Sequence, residues 1–350
     1  MRQIKKRVFF WRMMLGAVLA AAMIAATACG GGDAKEKPTI RLSDTQFESG
    51  WINNAIAEYI IEKGYGYPVE QVIVTTVVAQ ASLAKGDLDL YMELWQQNNQ
   101  EWYDRETAAG NVINLGMTYE GGPQFWIIPK WVAEEYNIRT VEDMKRPEVV
   151  KLFPDPEDPN KGAFINCIIG WNCEGVNRAK FKAYGLDQYY NIVSPGAAAA
   201  LDAALSGAQK KKEPVFGYYW APTSMMGAYD WKVLEEPAYT AECWAEVMKG
   251  YNDTSYTPKQ ACAYETLPVE KGINKNMLTK APDVVDMLKK MNVGLEPLNK
   301  TAAWAVENDI KGDWEKAAVY YLKTYEDRWT TWMPADAAQK VREALAKSNS

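Results

Sequence analysis

The sequence predicts an α/β fold in which short strands, arranged as a parallel sheet, alternate with helices. Between residues 39 and about 235, runs rich in β-branched and aromatic residues alternate with segments of helical periodicity. This alternation is typical of parallel sheets with crossover helices. After about residue 235 helical periodicity dominates, and no internal repeat is visible along the chain.

Each element is predicted from its periodicity and its end signals. Apolar residues recur at helical spacing from Ile52 to Ile60, for example, and Gly64 is expected to end that helix. Strands are predicted at 39–42, 69–77, 88–94, 111–115, 124–128, 163–169 and 215–219. Helices are predicted at 52–64, 78–85, around Trp102, after a capping signal at 140–143, and at 174–184, 197–208, 282–291, 313–329 and 335–346.

The N-terminus predicts a secretory targeting segment. Five basic residues accompany an apolar run at 13–26, and small residues then lead to Cys29. This pattern resembles a bacterial lipoprotein signal, in which Cys29 becomes the lipidated first residue. A membrane anchor that is not cleaved is the alternative, although the apolar run is short for a full span. Residues 29–38 are rich in glycine and charge and are expected to form a flexible tether.

Charge and composition argue against several classes of function. Residues 1–28 hold five of the 39 basic residues and none of the 45 acidic ones, so the remaining chain has a net charge of −11. Such an acidic surface argues against nucleic acid and anionic lipid as partners. The chain contains no histidine, which excludes Ser-His-Asp and Cys-His nucleophile systems and disfavours a zinc site. We therefore expect neither an enzyme nor a bound cofactor or metal.

The five cysteines fit an oxidising compartment. With Cys29 lipidated, the other four allow three pairings. We favour Cys167 with Cys173, which would staple a strand-to-helix turn, and Cys243 with Cys262, which would close a loop without clear periodicity. Free buried thiols are the alternative.

The stretch 166–175 leads from a predicted strand into a predicted helix through a Gly170-Trp171 turn. The first amides of a helix and its dipole attract an anion such as a carboxylate. An indole face attracts a cation, and best of all a quaternary ammonium ion. The turn could therefore contact both ends of a small zwitterion. A structural turn with a core tryptophan and a local disulfide is the alternative.

Three tryptophans share one predicted location. Trp95, Trp171 and Trp220 each follow or end a predicted strand at its carboxyl end. In open parallel sheets, ligands bind in the crevice outside these strand ends. Core packing is the alternative for any single tryptophan, and it is the expected role of the tryptophans in the C-terminal helices.

Four segments together resemble the substrate-binding proteins of osmoprotectant ABC importers, the glycine betaine/proline betaine-binding family. They are GDLDLYMELW at 86–95, YEGGPQFWIIP at 119–129, GWNCEG at 170–175 and PVFGYYWAP at 214–222. The third is the most telling, because some members carry a Gly-Trp-x-Cys-Glu-Gly turn with a disulfide partner six residues upstream. The resemblance extends from about residue 40 to residue 346, and the motifs fall in the family's order.

The resemblance implies a periplasmic-binding-protein-like fold of type II, in which two α/β lobes close around a ligand cleft by hinge motion. In such proteins the early and late parts of the chain build one lobe, and the middle builds the other. After a signal peptide at 1–28 and a tether at 29–38, we expect 39–122 and 237–350 in lobe one and 123–236 in lobe two.

The resemblance also implies which residues bind the ligand. Trp95, Trp171 and Trp220 match three aromatic residues that box a trimethylammonium group in related members. The backbone amides of Asn172 and Cys173 match the groups that hold a carboxylate. The implied ligand is a small zwitterion or quaternary ammonium compound.

Asn99 matches one further carboxylate-binding position, where a related member has histidine. A neutral amide donates a hydrogen bond but supplies no charge, so the ligand stays open among glycine betaine, choline, carnitine, ectoine and other small solutes. The expected protein is an extracytoplasmic, lipid-anchored monomer that delivers its solute to an ABC permease.

Two other functions remain open from the sequence. A carbohydrate-binding lipoprotein would stack sugars on the tryptophans, with polar residues such as 96–100 around them. A carboxylate-dependent glycosidase would need a pair such as Asp87 with Glu93, or Asp253 with Glu265, at a suitable separation.

Overall fold

The computed structural model describes residues 36–348. The expected signal peptide (1–28), the lipidation site Cys29 and the tether up to residue 35 lie outside this range. Lys37, which falls within the expected tether, donates a hydrogen bond to the Tyr65 carbonyl at 2.8 Å. Its Nζ also lies 4.0 Å from the centre of the Tyr67 ring, so Lys37 belongs to the folded body. Between residues 36 and 348, none of the helices is long and apolar enough to cross a membrane.

The strands of the described range form two five-stranded sheets. They are β1 (Ile40–Asp44), β2 (Val69–Ile73), β3 (Leu90–Leu94), β4 (Val112–Tyr119), β5 (Gln124–Pro129), β6 (Gly162–Ile165), β7 (Tyr190–Val193), β8 (Gly217–Trp220), β9 (Trp231–Val233) and β10 (Val269–Asn274). The first sheet has the order β2-β1-β3-β10-β4, and the second has the order β7-β6-β8-β5-β9. The chain passes from the first sheet to the second between β4 and β5, and β10 returns it to the first.

Helices occupy most of the connections between the strands. They are α1 (Glu48–Tyr59), α2 (Thr76–Lys85), α3 (Gln100–Ala108), α4 (Lys130–Glu135), α5 (Pro147–Val150), α6 (Asn172–Ala183), α7 (Ala198–Lys211), α8 (Ser224–Ala228), α9 (Ala241–Asn252), α10 (Met277–Lys280), α11 (Pro282–Lys290), α12 (Leu295–Glu307), α13 (Trp314–Thr324), α14 (Glu326–Trp329) and α15 (Ala335–Lys347). The expected end of the first helix at Gly64 is wrong. A π-helical turn, Ile60–Tyr65, continues α1, and Gly66 ends it with a φ of 72°, which a residue without a Cβ adopts without strain.

The predicted α/β class is confirmed, whereas the expectation of a parallel sheet is wrong. β1 runs parallel to β2 and β3, and β6 runs parallel to β7 and β8. β10 runs antiparallel to β3 and β4, and β5 runs antiparallel to β8 and β9. Both sheets are therefore mixed. Each contains one strand, β10 or β5, that is not joined to a neighbouring strand by the helical crossover that parallel pairing requires.

Each sheet has its own hydrophobic core. The first core unites β1, β3 and α1 with the C-terminal helices. The second core unites β5, β6, β8 and α6, and it also contains Cys243, Trp244 and Val247 of α9. The helix α9 thus packs with the second sheet, although it falls in the range 237–350 that is expected in lobe one. The lobe boundaries themselves stay a prediction.

Both favoured disulfides are present. Cys167 and Cys173 join the segment after β6 to the first turn of α6, with their Cα atoms 5.9 Å apart. Cys243 and Cys262 join α9 to the segment that precedes β10, with a Cα separation of 6.3 Å. All four side chains are buried in the second core. The two disulfides therefore fix irregular connections that pack against the second sheet.

Candidate functional site

A pocket lies where the ends of the two sheets face each other. Twelve residues from both sheets and their connections line it: Phe47, Thr76, Gln80, Tyr91, Trp95, Asn98, Gln124, Trp171, Asn172, Cys173, Tyr218 and Trp220. The cavity has a volume of about 40 Å³, which is room for a few water-sized groups. None of the twelve carries an acidic or basic side chain, so the pocket is aromatic and amide-lined.

Two indole rings form a corner of this pocket. Trp171 stands at the N-cap of α6 and Trp220 ends β8; their ring centroids are 5.3 Å apart and their planes meet at 84°. Phe47 contacts both rings edge-on, at 5.6 and 6.3 Å. Trp220 also stacks on Tyr219 at 4.4 Å. Both indoles line the same small pocket, and an indole face that a compact cation reaches there would attract it.

The indole of Trp171 also connects the two sheets. Its Nε1 donates to the carbonyl of Thr45 at 3.0 Å, just after β1, and the indole is only 6% exposed. Asn98 and Gln124 exchange amide hydrogen bonds at 3.1 and 2.9 Å across the same seam. These contacts show the two sheets closed on each other around the pocket.

Trp95 follows β3 directly and packs against both cores. Its ring occupies space that exists only because residue 122 is glycine: a Cβ there would lie 2.5 Å from a ring carbon of Trp95. Its Nε1 donates to Oε2 of Glu93 at 3.0 Å. The indole is thus positioned from behind by a carboxylate that does not line the pocket.

Glu93 is a buried carboxylate surrounded by donors. It is 1% exposed and accepts from Asn53 Nδ2 at 2.6 Å, Tyr119 OH at 2.9 Å and Ser49 Oγ at 3.2 Å, besides Trp95. Burial, which penalises the charged form, outweighs these bonds and raises the pKa of Glu93 to about 7. Because Glu93 lies behind the pocket wall, the glycosidase pair that would include it does not face the pocket.

The first turn of α6 forms another wall. The amide of Asn172 donates to Oγ1 of Thr76 at 3.0 Å, and that hydroxyl donates to the Gly170 carbonyl at 3.3 Å. Gly170 has a φ of 93°, and a Cβ there would lie 2.6 Å from Thr75. The disulfide at Cys173 ties this turn to the segment after β6. The first amide of α6 is therefore hydrogen-bonded to a hydroxyl of α2 at the pocket.

A further polar contact joins the two halves of the molecule beside the pocket. Both carboxylate oxygens of Glu48 accept hydrogen bonds from Ser224, one from its backbone amide at 2.6 Å and one from its hydroxyl at 2.7 Å. Burial raises the pKa of Glu48 despite these bonds. Across residues 36–348, no group of three or more Cys, Asp or Glu side chains is placed to hold a metal ion.

Five of the six residues expected to bind ligand line this one pocket: Trp95, Trp171, Trp220, Asn172 and Cys173. The sixth, Asn99, does not line it. Its Oδ1 accepts from the amide of Trp102 at 3.4 Å as the N-cap of α3, and its Nδ2 donates to Oε1 of Gln80 at 3.1 Å. A helix that begins at the next residue favours a side-chain acceptor at this position. Ligand contact by any of the six stays a prediction.

Several lining residues were not foreseen. Phe47 follows the carboxyl end of β1, so the rule that selected the three tryptophans could have found it. Gln80 and Tyr218 lie within α2 and β8, where the sequence carries no signal that distinguishes them from structural residues.

Comparison with known proteins identifies a family and several relatives. The family described as "Substrate binding domain of ABC-type glycine betaine transport system" matches residues 38–324. The glycine betaine/proline betaine-binding periplasmic protein of Salmonella typhimurium is 27% identical over 231 residues, which are 66% of this chain and 61% of that protein. This chain thus matches about six tenths of that relative's length. The trimethylamine N-oxide-binding protein of Pelagibacter ubique is 24% identical over 286 residues, 80% of this chain and 87% of that protein.

Solved structures show the same fold. The glycine betaine, L-proline-binding protein of Borrelia burgdorferi superposes with a TM-score of 0.68 at 17% identity, covering 87% of this chain and 99% of that one. A choline-binding protein of an ABC transporter, solved with choline, gives a TM-score of 0.67 at 17% identity, with coverages of 88% and 98%. These likenesses show the periplasmic-binding-protein fold of type II. With the match over residues 38–324, the chain belongs to the family of substrate-binding domains of ABC-type glycine betaine transport systems.

Proposed function

We propose that this protein is the extracytoplasmic solute-binding component of an ABC importer, and that it captures glycine betaine or a related trimethylammonium solute. The observation that carries the proposal is the right-angled pair of Trp171 and Trp220, closed by Phe47, in a pocket without a charged side chain. A trimethylammonium group needs no hydrogen-bond acceptor, whereas ammonium or potassium ions would lose their hydration there. Closure around the solute presents the bound form to the permease.

The energetics are consistent with useful capture. Each well-placed indole contributes about 0.5–2 kcal/mol to binding a desolvated cation. Two or three hydrogen bonds to an anionic group add about 1 kcal/mol each. Together these terms total about 4–9 kcal/mol and oppose the cost of ordering the ligand.

Trimethylamine N-oxide is a second candidate ligand. The pocket volume is about 40 Å³ and no cationic side chain lines it, which favours a small ligand with a compact acceptor over one that needs a full countercharge. The relative from Pelagibacter ubique, aligned over 87% of its own length, is named for this ligand. Choline, carnitine and ectoine remain members of the same test set, and sugars represent the carbohydrate-binding alternative.

Calorimetric titration of the mature protein tests this proposal. We expect a trimethylammonium solute to bind with a roughly micromolar Kd. We expect 3,3-dimethylbutanoate, the carbon isostere of glycine betaine, to bind at least about 100-fold more weakly, because it lacks the cation that the indoles attract. Equal binding of the isostere, or binding of sugars alone, would refute the proposal. Release of product from glycans would instead indicate the glycosidase.

Lipid anchoring through Cys29 is part of the proposed function and is supported by the sequence alone. In cells, Cys29→Ser should lose fatty-acid labelling and move from the membrane fraction to the soluble extracytoplasmic fraction. Thr27→Ser, which keeps the cysteine, is the control and should remain anchored. A Cys29→Ser protein that stays in the membrane fraction to the same degree would contradict lipidation and favour the uncleaved anchor.

A further inference from the structure

The side-chain amide of Gln80 makes only part of its possible hydrogen bonds to the protein between residues 36 and 348. It lies in α2, lines the pocket and is 6% exposed. Its Oε1 accepts from Nδ2 of Asn99 at 3.1 Å. Its Nε2, by contrast, donates to no protein group between residues 36 and 348. An amide donor at a pocket wall stays unpaired unless a ligand or water accepts from it.

The start of α3 determines which way this amide points. The backbone amide of Trp102 can only donate, and it donates to Asn99, which must therefore turn its Oδ1 toward the helix. The Nδ2 of Asn99 is then the atom that faces Gln80. Because Nδ2 donates, Gln80 must accept this hydrogen bond with its Oε1. The orientation of both amides follows from this network, and it leaves the NH₂ of Gln80 as the group available to the pocket.

The neighbours of Gln80 favour an anion at this place. Thr76 and Gln80 are one helical turn apart and share a face of α2. The Thr76 hydroxyl contacts the amide of Asn172 at 3.0 Å, in the first turn of α6. An amide NH₂ and a helix N-terminus are suited to an oxygen anion, whereas the Thr76 hydroxyl already donates to the Gly170 carbonyl at 3.3 Å. The indole corner lines the same pocket.

We propose that Gln80 determines specificity by donating to the anionic oxygen of the bound solute, and that Asn99 is a positioning residue that holds the Gln80 amide in this orientation. The inference rests on the proposed function, since it takes this pocket as the solute site. It assigns the trimethylammonium group to Trp171 and Trp220 and the carboxylate or N-oxide oxygen to the amide NH₂ of Gln80.

The test compares two ligands that share a cation and differ in the anion. Glycine betaine has a carboxylate, whereas tetramethylammonium has none. Gln80→Leu removes the donor, and we expect it to weaken glycine betaine binding by about 10- to 100-fold while tetramethylammonium binding changes less than about threefold. Gln188→Glu, at an exposed site of a 3₁₀ turn, is the control and should change neither.

Asn99→Asp tests the positioning role. Aspartate keeps the acceptor that caps α3 but replaces the donor that faces Gln80 with an oxygen. The Gln80 amide should then flip, donate to the new carboxylate and turn its own oxygen to the pocket. We expect a selective loss of glycine betaine affinity of about tenfold or more, with an unchanged thermal stability.

The outcomes separate the inference from the function on which it rests. A wild-type protein that binds neither cation would refute the proposed function and the role of Gln80 together. Wild-type binding with an unchanged affinity ratio in Gln80→Leu and Asn99→Asp would overturn the role of Gln80 alone. Equal losses for both ligands would show that Gln80 only supports the pocket wall, which also overturns the proposal.

Discussion

Replacement of Trp171 by alanine should weaken binding of the trimethylammonium solute by about 10- to 100-fold. The variant loses one indole face, worth about 0.5–2 kcal/mol for a desolvated cation. It also loses the hydrogen bond from Nε1 to the Thr45 carbonyl at 3.0 Å, which joins the two closed sheets and is worth about 1 kcal/mol. The sum of these terms, about 1.5–3 kcal/mol, corresponds to about one to two orders of magnitude in Kd, and calorimetry measures it directly.

Stability must be measured with affinity, because Trp171 is buried in the second core. We expect the alanine variant to lose about 3 kcal/mol or more of unfolding free energy. Trp171→Phe keeps a ring face and should retain more of both quantities. Trp332→Phe, at a buried site of the first core, is the matched control: it should lower stability and leave affinity unchanged. A folded Trp171→Ala protein that binds within about threefold of the wild type would contradict the aromatic corner as the cation site.

The free energy of unfolding should fall by about 3 kcal/mol between about pH 5 and pH 8 through Glu93 alone. Its pKa is about 7 in the folded protein and 4.5 as the ordinary value. Below 4.5 the carboxyl is protonated in both states, so its full stabilising contribution is present there. As the pH rises toward 7, the unfolded state ionises first and gains stability relative to the folded state. The loss is complete once the folded carboxyl has also ionised.

Denaturant unfolding of Glu93→Gln at several pH values isolates this contribution. Glutamine has the same shape and does not titrate, and the Oδ1 of Asn53, which is buried without a partner between residues 36 and 348, can accept from its amide. Relative to the wild type, the variant should gain about 3 kcal/mol from pH 5 to pH 8. Glu307→Gln, at an exposed site of α12, should run parallel to the wild type. Parallel profiles for Glu93→Gln would show that Glu93 stays ionised in the fold.

Local elements were predictable because their signals are local. The helix expected at 174–184 is α6, Asn172–Ala183, and Gly185 follows it with a φ of 65°. Apolar spacing and a glycine that can adopt a left-handed conformation act within one turn of chain, so the sequence alone carries them. The shared location of Trp95, Trp171 and Trp220 was predictable for a related reason. Ligands bind outside the carboxyl ends of strands in such sheets, and here the end of β3 in the first sheet faces the ends of β6 and β8 in the second.

Only the tertiary structure decided the direction of β10, the packing of α9 and the role of Asn99. β10 inserts antiparallel between β3 and β4, and α9 joins the second core from a part of the chain expected with the first. Asn99 caps α3 and hydrogen-bonds Gln80 rather than lining the pocket. Each of these depends on contacts between residues far apart in the chain, or on which of two competing hydrogen bonds an amide makes. Long-range contacts and competing hydrogen bonds leave no periodic pattern in the sequence, because the packing of the whole fold determines which residues contact each other.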